Sequence, residues 1–352
     1  MSPIQIKLTS LRFSHTLSIL LLFSLTLSGC STFSTSCKTQ LKANWVDQQA
    51  LKTDLTQLTS AEFEGRKTGT QGAALTRTYL NERFTQIGLT PWLSAQVGTK
   101  ATRLQSKSTG KFNLPFTYSQ GFSEREGSNV VGVLKASTPS TSWRVVIAHY
   151  DHLGVKGRKL YPGADDNASG IAAMLQLAHY AATHPELFTK TNLMFVATDA
   201  EEPGLYGGYA LAELLSQQNI TPNNKQIELA INLDMVGRPE RSMAVYLEGR
   251  RGFKQFPLIK QKLINETGLC IKAKHPRKRG KLTGNIDWLR ASDHYPLHKI
   301  GVPWLYFGVP PHQDYHAPSD TQEKIDFEFL AAVTSSAHQL LIIDSLQLGN
   351  IQ

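Results

Sequence analysis

The sequence predicts an α/β fold in which a mixed, mostly parallel β-sheet lies between layers of helices. Four short apolar runs carry most of that expectation. They read RVVIAHYDH (Arg144–His152), NLMFVATDAEE (Asn192–Glu202), LAINLDMVG (Leu229–Gly237) and VPWLYFGV (Val302–Val309). Runs that are apolar throughout and rich in β-branched residues suit strands covered on both faces. Segments of helical spacing alternate with them, as helices on both sheet faces require. A third observation concerns their ends: each run finishes at, or just before, residues able to bind a divalent metal. In open α/β sheets ligands collect at the carboxyl ends of the strands, so four such endings point to one site.

The chain begins with Lys7 and Arg12 ahead of an apolar run, Leu17 to Leu27, that is short for crossing a bilayer. It ends in Leu27-Ser28-Gly29-Cys30, which resembles the lipobox of bacterial lipoproteins. The resemblance implies that residues 1–29 are a signal peptide, that Cys30 is acylated, and that the polar stretch 30–45 is a flexible tether. Ser31 in the next position resembles lipoproteins sent to the outer membrane, which implies a cell-envelope location facing the periplasm. An ordinary secretory signal or an uncleaved anchor is the alternative. Residues 46–352 are expected to form a single domain.

Within it, Leu51 to Leu58 suggests a short helix, followed by the turn-rich Glu64-Gly65-Arg66 with Gly69 and Gly72. Ala73 to Ile87 carries an apolar stripe of Leu75, Tyr79, Leu80, Phe84 and Ile87, with Gly88 as a natural stop. Residues 90–128 are weakly patterned and read as irregular structure or edge strands, before Asn129–Leu134 resumes strand character. Asn167 or Ser169 can cap a helix from about Gly170 to Thr183. Further helices are predicted near Gly208–Gln217, over Phe256–Thr267, and over Phe327–Ser345, whose inward stripe is Phe327, Leu330, Val333, Ala337, Leu340 and Leu341. No internal repeat and no second domain is visible.

The formal net charge is +9, or +7 once Lys7 and Arg12 are removed with the leader. Much of the excess lies in Lys272, Lys274, Arg277, Lys278, Arg279 and Lys281. That run reads as a solvated loop; contact with anionic lipid headgroups is the alternative suited to a tethered protein. It lacks aromatics for stacking on bases, and an envelope location removes nucleic acid as a partner. Of three cysteines, Cys37 and Cys270 remain as thiols if Cys30 is acylated. A disulfide between them is permitted in an oxidising compartment, though nothing in the sequence brings them together. With no Cys-x-x-Cys motif, a metal must be held by His, Asp and Glu.

The candidates are His149, Asp166, Glu202, Asp234 and His316. Five ligands exceed what one catalytic zinc takes, but suit two ions if a carboxylate bridges them. An Asp of the tight GADDN turn (Gly163–Asn167) is the best bridge, although spacing does not choose between Asp165 and Asp166. Glu202 is assigned to metal and its neighbour Glu201 to proton transfer. Asp151, two residues past His149 on the same side of an extended chain, can orient that imidazole. His152, Asp165, His294, His298 and His312 lack such positional support and read as structural. Asp293 could buttress the site.

The ordered motifs HYDHLG, PGADDNASG, DAEEPGLYGG, NLDMVGR, SDH…GVP and DYHAPSDT, with EGRKTGTQG and SNVVGVL ahead of them, resemble the di-zinc aminopeptidases related to aminopeptidase Y and glutamate carboxypeptidase. The resemblance runs from about Leu55 to Leu341. It implies a three-layer zinc-exopeptidase fold, peptide substrates and two Zn²⁺ per chain. By it, His149 and Asp234 hold one zinc, Glu202 and His316 the other, and Asp166 bridges. Glu201 is the general base and Asp151 orients His149. Some relatives insert a protease-associated domain, for which residues 90–128 are too short. Gly208 stands where relatives often carry Ser, which should affect helix packing more than chemistry. The function implied is hydrolysis of N-terminal peptide bonds. A glutaminyl-peptide cyclase on the same fold, using one zinc, and a non-catalytic envelope binding protein are the alternatives. The complete ligand set argues against both.

Overall fold

In the computed structural model, residues 40–93, 111–240, 242–275 and 286–345 are described below. The leader, Cys30, Cys37 and Arg277–Lys281 lie outside them. All belong to one compact unit, Cys37–Gln352. Cys270 is disulfide-bonded.

Helix α1 (Gln48–Thr59) starts where the Asp47 carboxylate accepts the N–H groups of Gln49 and Ala50, and it buries Leu51, Leu55 and Leu58. Helix α2 (Gln71–Ile87) ends at Gly88, φ 90°, whose N–H and that of Leu89 close back onto Thr85 and Phe84 carbonyls. Strands β1 (Thr90–Pro91), β2 (Asn113–Gln120) and β3 (Ser123–Leu134) follow. The last two form a long hairpin where the sequence suggested irregular structure or edge strands. Its outer half, Ser123 to Glu126, is solvated and therefore carries no apolar alternation to read.

Next come β4 (Trp143–His149), the small hairpin β5 (Gly154–Lys156) and β6 (Lys159–Tyr161), and α3 (Gly170–Thr183). Asn167, not Ser169, caps α3, its Oδ1 accepting the Gly170 N–H at 3.0 Å. The chain continues through β7 (Asn192–Thr198), α4 (Tyr206–Leu215), β8 (Ile227–Leu233), β9 (Ala244–Glu248) and α5 (Phe256–Thr267). It closes with β10 (Cys270–Lys272), α6 (His294–Lys299), β11 (Trp304–Gly308) and α7 (Phe327–Ile342). Helix α4 begins two residues earlier than the sequence suggested, and α7 ends three residues sooner.

Nine strands form one sheet in the order β1-β3-β7-β4-β8-β11-β9-β10, with β2 on β3. The central β7, β4, β8 and β11 run parallel, while β3 is antiparallel to β7 on one side of this block and β9 is antiparallel to β11 on the other, with β10 parallel to β9. Strand alternation divides the apolar side chains between two layers. Val146, Ala148, Phe195, Ala197 and Ile231 pack beneath α1, α2, α3 and α7. Trp143, Val145, Ile147, Met194 and Val196 pack beneath α4 and α6. Double coverage explains why these strands read as unbroken apolar runs. It also puts the carboxyl ends of the four parallel strands on one rim.

Candidate metal centre

His149 is the last residue of β4, and Asp234 directly follows β8, its neighbour in the sheet. The next residue after each is held by a ladder-like bond: Tyr150 N–H donates to Thr198 O at 2.9 Å, and Val309 N–H donates to Met235 O at 2.8 Å. Past β7 the chain turns at Ala200, φ 56°, and presents Glu201 and Glu202. Met235 and His316 are likewise left-handed, φ 56° and 55°. Three non-glycine residues in that region lie at or beside candidate site positions, where surrounding structure must hold a costly backbone.

The five predicted ligands converge. His149 Nε2 lies 3.4 Å from Asp166 Oδ1 and 3.4 Å from Asp234 Oδ1. His316 Nε2 lies 3.2 Å from Asp166 Oδ2 and 3.0 Å from Glu202 Oε2. The two oxygens of Asp166 therefore face opposite imidazoles, and two donor triads share one carboxylate. Glu201 lies on the first side, with an oxygen within 4.8 Å of donor atoms of His149 and Asp234.

The GADDN turn sorts its two acids. The Asp165 carboxylate is turned into the protein, accepting the Gly237 N–H at 2.7 Å and facing His312 Nε2 at 3.2 Å. Asp320 accepts the N–H groups of Asp165 at 3.0 Å and Asp166 at 3.2 Å, which fixes the turn. Asn167 donates to Leu233 O at 2.9 Å and so ties Asp166 to the end of β8. The Asp166–Asn167 peptide is cis. Arg66, wholly buried, donates to four carbonyls, those of Leu58, Tyr150, Pro162 and Gly163. It thereby joins the residue after His149 to the start of the same turn, a role for the Glu64–Gly72 motif that spacing alone does not reveal.

Asp151 is placed differently from expectation. His149 Nδ1 faces the main-chain carbonyl of Asp151 at 3.2 Å, while the Asp151 carboxylate is 3.8 Å away. A carbonyl only accepts, so Nδ1 carries a proton, and Nε2 is the nitrogen turned toward the carboxylates of the centre. The carboxylate instead accepts the N–H groups of Glu201 at 3.0 Å and Glu202 at 3.3 Å. It positions the glutamates more directly than the histidine. Asp199, which sequence reasoning missed, supports the same loop: it is fully buried and accepts from Thr68 Oγ at 2.7 Å and Ser128 N–H at 3.0 Å.

Among the histidines read as structural, His294 and His298 sit in a ring stack with Trp304, and His312 meets Asp165. His152 departs from that reading. Its Nδ1 lies 2.7 Å from Glu202 Oε1, yet neither atom has a hydrogen-bond partner in suitable geometry, and both are buried. Its signal was present in sequence only as a second histidine three residues after His149. Asp293 accepts from Thr198 Oγ at 2.5 Å, just behind the Glu201–Glu202 loop.

Burial disfavours charge on the His149 imidazole, but Glu201 and Asp234, with hydrogen bonds to Asp166 and Asp234, raise its pKa well above the usual value. Burial likewise opposes protonation of His316, and bonds to Asp166 and Glu202 still lift it to about 10. Asp166 is held well below the ordinary carboxylate range: burial would raise it, and His149 and His316 overrule burial. Glu201 moves the other way. Burial first, then Asp234, Asp293 and Glu202, push it well up, with only His149 opposing. Packed acids that draw protons onto their imidazoles are starved of cations. Nitrogen and oxygen donors without sulfur, orphaned buried atoms on His152 and Glu202 and a shared carboxylate all fit a pair of divalent ions of the zinc type.

The pattern of peptidase family M28 matches residues 129–341. Aminopeptidase YwaD of Bacillus subtilis is 28% identical over 221 residues, 60% of this chain and 43% of its own. The matched stretch is thus less than half of that relative. BSAP, a zinc aminopeptidase from Bacillus subtilis, superposes with a TM-score of 0.61 at 16% identity, covering 89% of this chain and 99% of its own. A glutaminyl cyclase of Porphyromonas gingivalis gives 0.60 at 19%, covering 85% and 99%. At such identities the two structures speak for the fold alone. The family pattern spans more than half of the chain and encloses all five converging ligands, so this chain belongs to peptidase family M28.

Proposed function

We propose that the protein is a metal-dependent exopeptidase that hydrolyses N-terminal peptide bonds, with His149 and Asp234 holding one zinc, Glu202 and His316 a second, and Asp166 both. The observation that carries this reading is the Asp166 carboxylate lying between two imidazoles at 3.4 and 3.2 Å. Zinc at such a centre supplies Lewis acidity at the scissile carbonyl and makes water acidic enough to lose a proton near neutral pH. Glu201 is the base for that proton. Its pKa is pushed up by burial, which suits a group that takes a proton from the attacking water and passes it to the departing amine nitrogen. Asp151 keeps the Glu201–Glu202 loop in place through its main-chain N–H groups, and Asp199 anchors the start of that loop to Thr68 and Ser128.

Cleavage at the amino end is supported by the sign of the rim. Among the described residues, the ion pairs of Asp166, Glu202 and Asp234 are all with histidines. Acids paired only with histidines favour a free α-ammonium over a C-terminal carboxylate. We also propose that acylation of Cys30 tethers the enzyme to the outer membrane, facing the periplasm. Incorporation of a palmitate analogue that survives Cys30→Ser would refute the tether.

The experiment for the activity is hydrolysis of a panel of aminoacyl-amide reporters, with and without chelator. Cleavage that chelation abolishes and zinc restores is expected. One metal per chain, with ammonia released from N-terminal glutamine, would favour the cyclase reading instead.

A further inference from the structure

The lane beside β3 changes occupant partway along. Val130 to Leu134 pair with β7, Ala197 opposite Val130. Strand β7 ends at Thr198, opposite Asn129, yet β3 extends outward over six more residues, Ser128 to Ser123. On its other edge β3 is paired with β2 all the way, Gln120 opposite Ser123. The hairpin therefore stands above the carboxyl rim with one edge filled and the other facing the metal centre.

Main-chain polarity alternates along a strand, so the open edge can be read residue by residue. Val131 N–H donates toward the β2 side, to Phe112 O at 2.8 Å. The even-numbered residues point the other way. At Ser128 this edge is already used by the centre's own supports: its N–H donates to Asp199 at 3.0 Å, and its carbonyl accepts from the Tyr150 hydroxyl at 2.9 Å. The next two positions on the same edge are Glu126 and Glu124. Both are exposed, and among the described residues neither main chain has a hydrogen-bond partner on that side. The arm is braced rather than loose, because Tyr118 stacks on Tyr206 at 4.3 Å and the Tyr206 hydroxyl donates to Ser119 O at 3.1 Å.

We propose that the free β3 edge at Glu124 and Glu126 takes up the main chain of an extended peptide substrate as an added antiparallel strand. This rests on the exopeptidase reading and deepens it. A peptide with its amino end at Glu201 and Glu202 and its chain running outward travels in the direction of β7, in the lane that β7 vacates. That direction is antiparallel to β3, the better-paired geometry. Strand addition draws affinity from main-chain hydrogen bonds and tolerates many side chains. The enzyme is thus a peptidase of extended oligopeptides, about four residues or longer, rather than of dipeptides.

The test compares kcat/KM for a series from one to six residues sharing one N-terminal residue, using the zinc-loaded full chain. The value should rise about five- to tenfold between the aminoacyl reporter and a peptide of about four residues, the scale of one or two added hydrogen bonds, and then level off. Methylating the peptide nitrogens that face the edge should erase the rise, whereas methylating the alternate ones should not. Glu126→Pro removes a donor that β2 does not use, as an edge strand permits, and should lower the peptide-to-reporter ratio. Glu126→Gln should keep it. A flat length profile, equal effects of both methylation patterns, or loss of the ratio in Glu126→Gln overturns the proposal while leaving reporter hydrolysis intact. Failure to cleave the reporter at all would strike the exopeptidase reading instead.

Discussion

His149 ends one strand and Asp234 follows the next, and both are almost wholly buried; Glu202 and His316 sit on loops that have left the sheet, and the His316 side chain is 36% exposed. The first pair inherits its position from parallel ladders that cannot shift without disturbing β4, β7 and β8 together. The second depends on charges placed around a loop. Asp314, two residues before His316, takes Arg238 at 2.8 Å, Lys324 at 2.6 Å and Ser319 at 2.5 Å. These contacts outweigh burial and hold its carboxyl well below the ordinary range. One half of the centre is therefore built by the fold and the other by a local network that can be dismantled one residue at a time.

The largest effect should come from a change that spares both halves. Glu201→Gln leaves the five ligands in place and is expected to lower kcat by at least ~10², the scale of general-base catalysis. Metal analysis of that variant should match wild type, and near-normal turnover would remove Glu201 from its role.

Breaking the comparison directly calls for Lys324→Ala, since Lys324 meets Asp314 while Arg238 also faces Asp320, the carboxylate that fixes the Asp166 turn, at 3.8 Å. Loss of a supporting contact behind a metal ligand typically costs ~10–100-fold in affinity. Competition titration with a chromophoric chelator should show one site weakened by that factor and the other unchanged. Equal weakening at both would mean that the halves are not independently supported.

The metal-free protein offers a pH test. Asp166 and Glu202 raise the His316 pKa from the ordinary 6.5 to about 10, against the effect of burial. Its contribution to stability is therefore fully present below about 6.5 and is lost as pH rises through about 10. His149, also raised, acts in the same sense. Melting temperature of chelated protein should fall across that window, and the zinc-loaded form, whose imidazoles are neutral ligands, should lose the slope. The smallest effect on activity belongs to Gly208→Ala. An added Cβ would meet Asp293 Oδ1 at 2.5 Å and Pro296 at 3.1 Å, and overpacking of this kind costs ~1–3 kcal/mol. Chemical denaturation should record that loss with kcat nearly unchanged. A large fall in kcat would show that Asp293 positions the Glu201 loop through Thr198.

Legibility in the sequence follows the same division. Candidate ligands at strand ends were visible because a doubly covered strand advertises itself as an apolar run, and its last residue marks the rim. The bounds of α3 and α5, Gly170–Thr183 and Phe256–Thr267, were equally plain. What stayed hidden depended on contacts across the chain. Asp165 and Asp166 are chemically alike, and only Asp320 and Gly237 decide which one turns inward. Asp151 lies on the expected side of His149 but reaches it through a carbonyl, which no spacing rule distinguishes from a carboxylate. His152 looked unsupported until the Glu202 loop closed over it. The outer β2–β3 hairpin, solvated on both faces, left no periodicity to detect.

The central claim is that two ions share Asp166, and elemental analysis of the purified chain tests it most directly when paired with one variant from each half. The expected result is two zinc ions per chain in the wild type, one in Asp234→Ala, one in His316→Ala, and fewer than one in Asp166→Ala. A single zinc in the wild type, unaffected by His316→Ala, would contradict it.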